Sequence, residues 1–495
     1  MIDKSSQKIF NNSILYAIGT IASKATAFLL LPLYTYFLSS EEYGIATTIT
    51  TFVTTFGIVI MLSLRAAIIR FINDYDENEK SVFIGTILIT VLLNSVLLCS
   101  LLCIFRNLYA DIFFKNIDFY PYILIGILSL GFEGVYLVYQ STLQAKQLGG
   151  LYSLNSFIYL LIKVIFVIFF VAILKLSILG VLIATLLANF TFAVYGIIEM
   201  KRRKFLVFSF NKEMFVKSIK YSLPILPHNL ANDMHTYSTK IIISNCLNYA
   251  ISGIYSLASQ FSSMVNLVQS SINLAFRPWF IEQMSEGENG RKQIKHMTVM
   301  IMSLFCFIAV AISVFSREIV IIFATEQYFE AWKLIPIFIM SQLITFIYYS
   351  HVQVLMYDVK ISKFTSISSI VGLLTNIVSS LVLVNYWGIY GIALAQVISK
   401  IVLSTIVVIM SKHSEKVDFG LKRMIYLLVC AAGLILISVI IAVNTDNVIS
   451  FIPSILIRIL IILIALYIYI HKYIKDYKSL LIGLLHRGGR KWKKR

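Results

Sequence analysis

About fourteen apolar segments, each near twenty residues, run almost end to end through this chain of 495 residues. A helix of about 20 residues, rising 1.5 Å per residue, crosses the roughly 30 Å of hydrocarbon in a bilayer. Inside that hydrocarbon every backbone polar group must bond within its own segment, so such segments become helices. The pattern predicts an all-α polytopic membrane protein with helices near 11–37, 44–69, 81–105, 121–140, 153–174, 177–199, 218–245, 252–276, 296–316, 333–356, 364–385, 389–411, 422–443 and 450–471. The composition agrees: 59% hydrophobic and 13% charged, with mean hydropathy +0.85. The linkers leave no room for a separate soluble domain. The polar first ten residues and the full-length apolar run after them read as a retained first helix, not a cleaved leader.

A formal charge of +18 raises the question of a polyanion partner. Its distribution answers it. With the N-terminus in the cytoplasm, only Arg106, Lys115, Lys175, Arg317 and Lys333 fall in outer loops. Lys24, Arg65, Lys163, Lys240, Lys400 and Arg458 lie within helices, and the rest crowd the cytoplasmic segments. This is the bias that orients a membrane protein. The clusters Lys201–Lys204 and Arg490–Arg495 suit anionic headgroups of the bilayer, and no nucleic-acid partner is expected. The five cysteines sit in or beside apolar segments at spacings that fit neither a disulfide framework nor a metal site.

An internal repeat is visible. Leu38–Ala46 (LSSEEYGIA) resembles Leu247–Tyr255 (LNYAISGIY), with Gly44 and Gly253 in register at an offset of 209. Gly180 and Gly391 match at 211, and the loops at 144–153 and 356–365 match at 212. The repeat predicts two pseudo-symmetric six-helix lobes, 1–200 and 218–411. A cytoplasmic linker at 201–217 joins them, and 412–495 supplies two extra helices and a basic tail. Six helices per unit is even, so both copies insert the same way up. Substrate then sits at their interface, and the lobes rock for alternating access.

Ions in mid-membrane are costly and mark function by default. Lys24 lies more than ten residues from either end of its segment, too deep to snorkel. Asn12, Tyr16, Thr20 and Ser23 share its face. Segment 218–245 opens on Pro224 and Pro227, then carries Asn229, Asp233, Tyr237, Lys240 and Ser244 on one face. The next segment carries Ser256, Gln260, Asn266, Asn273 and Arg277 along one side. Arg65, Lys163 and Lys400 are further candidates for a cationic, substrate-binding cavity. Lys240 also reads as a side chain near the outer end that could snorkel, and Arg277 as simple topology charge near the cytoplasmic end. Glu133 and Asp233 are the central acids, and His228 and His235 flank Asp233. Glu133, Asp233 and His235 are candidates for ion coupling. Cations outnumber acids in the interior, which points to an anionic cargo such as a lipid diphosphate, matched by Lys and the Arg fork.

The opening NNSILYAIGTIASKATAFLLLPLYTYFLSSEEYGIATT, then LSLRAAIIRF, YSLPILPHNLANDM and SGIYSLASQF, resemble the Wzx-type polysaccharide flippases. These belong to the multidrug, oligosaccharidyl-lipid and polysaccharide exporter superfamily. The likeness runs over essentially the whole chain. It implies translocation of undecaprenyl-pyrophosphate-linked oligosaccharide repeat units, of the O-antigen or capsule type, to the outer leaflet of the cytoplasmic (inner) membrane. Both termini are then cytoplasmic. It further implies a cationic cavity served by Lys24 and Lys240 and coupling to a proton or sodium gradient, with no other cofactor. A polymerase and a chain-length regulator are partners by family analogy. Two alternatives stand beside it. A drug antiporter of the same superfamily would favour buried acids over bases. A polymerase or ligase would need a large outer loop, and the longest candidates (106–120 and 317–332) are short. No phosphate loop or HExxH is present, so no catalytic or metal-binding residue is expected.

Overall fold

The computed structural model describes residues 28–358, 363–414, 417–443 and 448–471. Lys24, Asn12 and Tyr16 lie outside the described residues. Within them the chain is helical and carries no strand. In order the helices are α1 Leu31–Phe37, α2 Ser40–Met61, α3 Leu64–Phe71, α4 Glu77–Ile104, α5 Arg106–Phe113, α6 Leu124–Ala145, α7 Gly149–Val167, α8 Ser177–Arg202 and α9 Lys212–Ser222. They continue with α10 Leu226–Cys246, α11 Tyr249–Ser285, α12 Glu288–Val314, α13 Ser316–Phe323, α14 Ala331–Tyr357, α15 Lys363–Ser414, α16 Leu421–Val443 and α17 Val448–Ala465.

Among the described residues nine helices are long and apolar enough to cross a membrane. One of them, α15, is broken at Gly388 (φ 53°, ψ −130°), a left-handed backbone that glycine adopts without a Cβ penalty. Helices α10 and α11 fall short on composition rather than length, because they carry the polar stripes read above. The lipid-facing surface is apolar, as on α4, where Leu93, Val96, Leu97 and Ile104 are exposed.

Local signals set several helix starts. Ser39 and Glu42 form a reciprocal capping box on α2, and Asp76 and Glu79 form another on α4. Each satisfies two orphan N–H groups. Four features depart from the sequence reading. The span expected at 44–69 is broken at Leu62–Ser63. The loop expected at 277–295 is almost wholly helical, with α11 ending at Ser285 and α12 beginning at Glu288. The expected linker contains the start of α9, and the outer loops contain short helices α5 and α13. Apolar run length marks hydrocarbon depth, but a helix continues into water wherever neighbours support it.

The chain forms two compact units: 1–260 with 323–329 and 369–395, and 261–322 with 330–368 and 396–495. In the first, α6 packs on α4 and α8 at small residues. A Cβ on Gly134 would press on Ile60 and Val91, and one on Gly196 would touch the Tyr139 ring. Polar side chains bond across these seams, the usual adhesive between membrane helices. Asn189 Nδ2 donates to Ser129 Oγ at 3.0 Å, and Tyr159 Oη donates to Asn189 Oδ1 at 2.8 Å. In the second unit α12 packs with α14 and α16. Arg458 of α17 is ion-paired there with Glu318 of α13.

Candidate functional site

Two polar cavities lie within the first unit. One, of about 560 Å³, begins at the break between α2 and α3. Leu62 (φ 46°) and Ser63 (φ 56°) are both left-handed, a conformation that costs on the order of 1 kcal/mol or more for a residue with a Cβ. Asn94 of α4 supports the break, its Nδ2 donating to the Val59 and Ile60 carbonyls at 2.9 Å each. Irregular backbone at membrane depth is tolerated where protein or a wet cavity satisfies it. The turn brings Ser63 and Arg65 to the cavity wall, facing Glu133 of α6 and Asn229, Asn232 and Asp233 of α10. Ser63 Oγ accepts from Asn229 Nδ2 at 3.1 Å. Arg65 donates to Gln144 Oε1 at 3.1 Å. The Glu133 carboxylate stands over Gly57, where a Cβ would lie 3.7 Å from its Oε2.

The second cavity, of about 260 Å³, joins Lys163 of α7, Lys240 of α10 and Gln260 of α11. Its walls are hydroxyl-rich: Tyr34, Tyr43, Tyr159, Thr47, Thr50 and Thr51. Lys240 is 7% exposed and donates from Nζ to the Thr47 carbonyl at 3.1 Å. Neither lysine meets a carboxylate within ion-pair distance among the described residues. Lys163 and Glu133 are near enough for their charges to interact, and Glu133 likewise senses Asp233. Two ammonium groups among hydroxyls and phenols form a chemistry suited to an anion bearing hydroxyls: the charges hold the anion and the hydroxyls bond its sugars or oxygens.

The structure therefore gathers Arg65, Glu133, Asn229 and Asp233 in one cavity, and Lys163, Lys240 and Gln260 in the other. Tyr237 lines neither. It is fully buried, its ring packed against Phe52, Phe56 and Phe113. His235 lines neither and is half-buried. Arg277, Lys400 and Asn266 belong to the second unit. There Arg277 is exposed, Lys400 is half-buried, and Asn266 donates to Gln342 Oε1 at 3.2 Å. The threonines add to the site. Six of the nine residues at 47–55 are Thr, an unusual density in an apolar helix and a signal of a wet face.

Outside the spans, Asp74 accepts from Lys217 of α9 at 3.0 Å. That bond, with Arg70 beside it, holds the Asp74 carboxyl below the usual carboxylate range.

Fold and site together define a polytopic helical membrane protein with two polar cavities in its first unit. A search of solved structures returns lipid II flippase MurJ in an inward closed conformation, with a TM-score of 0.71 and 18% identity over 93% of this chain and 100% of that one. It also returns an inward-facing multidrug resistance MATE family transporter, with a TM-score of 0.61 and 13% identity over 84% of this chain and 95% of that one. A Haemophilus influenzae protein named for the Lsg locus is 23% identical over 421 residues, 83% of this chain and 99% of its own length. The family model described as polysaccharide biosynthesis protein matches residues 9–284, and the chain belongs to that family. The resemblance read from the sequence stands.

Proposed function

We propose that this protein is a flippase for lipid-linked oligosaccharides. The observation that carries the reading is the Lys163–Lys240 cavity, cationic and walled by hydroxyls, in a chain of the polysaccharide biosynthesis family. The cargo is an undecaprenyl-pyrophosphate-linked repeat unit of the O-antigen or capsule type. Its diphosphate is held by Lys163 and Lys240, and its sugars by the threonine and tyrosine hydroxyls. The polyprenyl tail stays in lipid, so only the headgroup crosses. Lobes 1–200 and 218–411 rock about the linker 201–217, with both termini in the cytoplasm and the chain in the cytoplasmic membrane. A proton or sodium ion at Glu133 and Asp233, in the neighbouring cavity, resets the cycle, since Glu133 interacts with the charge of Lys163 and changes the field at the lysine cavity when it takes up a cation. The work is transport, not catalysis. A polymerase and a chain-length regulator receive the product.

The test is deletion of the gene, with extraction of the undecaprenyl-linked intermediates and a glycosidase or lectin test of the leaflet that holds them. Complete repeat units accumulating on the cytoplasmic face support the flippase. Unpolymerised units on the outer face would sink it and indicate a polymerase or ligase.

A further inference from the structure

Several hydroxyls on the wall of the lysine cavity are already spent as donors. Thr50 Oγ1 donates to the Ala46 carbonyl at 2.8 Å, and Thr51 Oγ1 donates to the Thr47 carbonyl at 2.7 Å. On α8, Thr185 Oγ1 donates to the Val181 carbonyl at 2.9 Å. A carbonyl has no proton to give, so the direction of each bond is fixed. A hydroxyl carries one proton and two lone pairs. Each threonine has therefore committed its proton to its own helix, four residues back. What it offers the cavity is lone pairs.

Tyr159 of α7 reaches the same condition by another route. Asn189 Nδ2 donates to the Ser129 carbonyl at 3.4 Å and to Ser129 Oγ at 3.0 Å, which turns the amide oxygen toward Tyr159. That oxygen accepts and cannot donate, so the Tyr159 hydroxyl is the donor, at 2.8 Å. Asn189 is 2% exposed, which keeps water from taking its place. The Tyr159 ring is held by Tyr136, stacked at 4.9 Å between centroids, and by Phe192, edge-on at 5.2 Å. Thr50, Thr51, Tyr159 and Thr185 thus form an acceptor wall drawn from three helices. Lys163 and Lys240 share the cavity with it, and an ammonium donates without accepting.

We propose that Thr50, Thr51, Tyr159 and Thr185 are an acceptor subsite that selects cargo by its hydrogen-bond donors, the hydroxyl groups of the sugar next to the diphosphate. The inference rests on the flippase reading above and assigns each part of the headgroup to its own side chains. A diphosphate diester carries no proton at neutral pH. Its oxygens are drawn to the two ammonium groups and repelled by the lone pairs of the wall. Sugar hydroxyls carry protons that those lone pairs accept. The cavity therefore orients the headgroup, anion to the lysines and sugar to the wall. It also discriminates a glycosylated carrier lipid from the bare one, because a site built to bond hydroxyls rejects an analogue that lacks them.

The test uses the full chain purified in detergent and two probes. One is farnesyl diphosphate bearing glucose on its terminal phosphate. The other is the same molecule with the glucose hydroxyls replaced by fluorine, which removes the donors at equal charge and nearly equal size. Affinities are read by isothermal titration calorimetry. The unaltered protein is expected to bind the hydroxyl probe at least about tenfold more tightly, the worth of about one good hydrogen bond. Thr51→Val and Tyr159→Phe, made singly, should each cut that ratio at least about threefold, and Thr51→Ser, which keeps the hydroxyl, should retain it. Thr50→Val and Thr185→Val serve where either variant fails to fold. Equal binding of the two probes by the unaltered protein would overturn the subsite. So would a ratio unchanged in the variants, which would leave the lone pairs as solvation for the two ammonium groups. Lys240→Ala reads the cargo assignment separately, since it should weaken both probes together. Undiminished binding of both in that variant would remove the diphosphate from Lys240 while the ratio still decides the wall. Binding of neither probe by the unaltered protein would overturn both readings.

Discussion

Lys240 Nζ donates to the Thr47 carbonyl at 3.1 Å, which holds a buried ammonium of α10 against α2. One carbonyl satisfies one of its three N–H donors. The other two are available to an anion in the cavity shared with Lys163. Lys240→Ala is expected to abolish surface glycan at unchanged membrane abundance. Lys240→Arg keeps the charge, but its planar fork is poorly matched to a single carbonyl, so partial activity is expected. Full activity of the alanine variant, read by surface-glycan staining against an immunoblot of the membrane fraction, would remove Lys240 from cargo binding.

Glu133 sits between unlike neighbours, interacting with the charges of Lys163 and Asp233. Glu133→Gln keeps the shape and removes the exchangeable charge. Transport in vesicles is expected to persist in one direction yet lose its dependence on an imposed proton or sodium gradient. Gradient dependence equal to that of the unaltered protein would make Glu133 a structural partner of Lys163.

How much of this was legible in the sequence varies residue by residue. Apolar run length and the Gly44–Gly253 register carried the helical class and the repeat. The register could not say that the two glycines touch, because a repeat describes equivalence, not adjacency. Lys163, Lys240, Glu133 and Asp233 stood out as ions in apolar segments. Their sorting into two cavities depends on how α6, α7 and α10 pack, which no local pattern encodes. Tyr237 shares a helical face with Asp233 and Lys240, yet three phenylalanines from α2 and α5 enclose it. The break at Leu62–Ser63 left no trace, since neither residue is glycine or proline; it is held by Asn94, over thirty residues away.

The linker offers a test of charge at the membrane surface. Asp74 accepts from Lys217, and its carboxyl is held below the usual range. A depressed carboxylate stabilises the fold above its unfolded value, about 3.9, and that contribution is lost as pH falls through the folded value. The attachment of α9 is therefore expected to weaken only in strong acid. The effect is small, because the pair is exposed and screened by salt. Hydrogen exchange of Lys212–Ser222 should quicken on acidification beyond the intrinsic change, and Asp74→Asn should remove that extra step. An identical acid response in the variant would assign it to another group.

Arg458 and Glu318 pose the sharpest stability question. The guanidinium is 1% exposed, and its partner carboxylate retains a quarter of its side-chain exposure. Arg458 Nε and Glu318 Oε2 find no further hydrogen-bond partner among the described residues. Neighbouring Arg317 donates to the Ala442 carbonyl at the end of α16, so α13 is tied to both C-terminal helices. Removing one charge of a buried pair strands the other, at a cost of about 3–5 kcal/mol, whereas replacing both with apolar residues is often near neutral. Arg458→Leu is therefore expected to lower thermal stability in detergent markedly. Adding Glu318→Leu should recover most of the loss, as a double-mutant cycle would show. If the double variant is no more stable than Arg458→Leu alone, the pair is not what holds α17 to α13. Intact transport in a stable double variant would place the pair in assembly of the C-terminal helices and outside the transport cycle. Lost transport at native stability would bring Arg458 into the cycle itself.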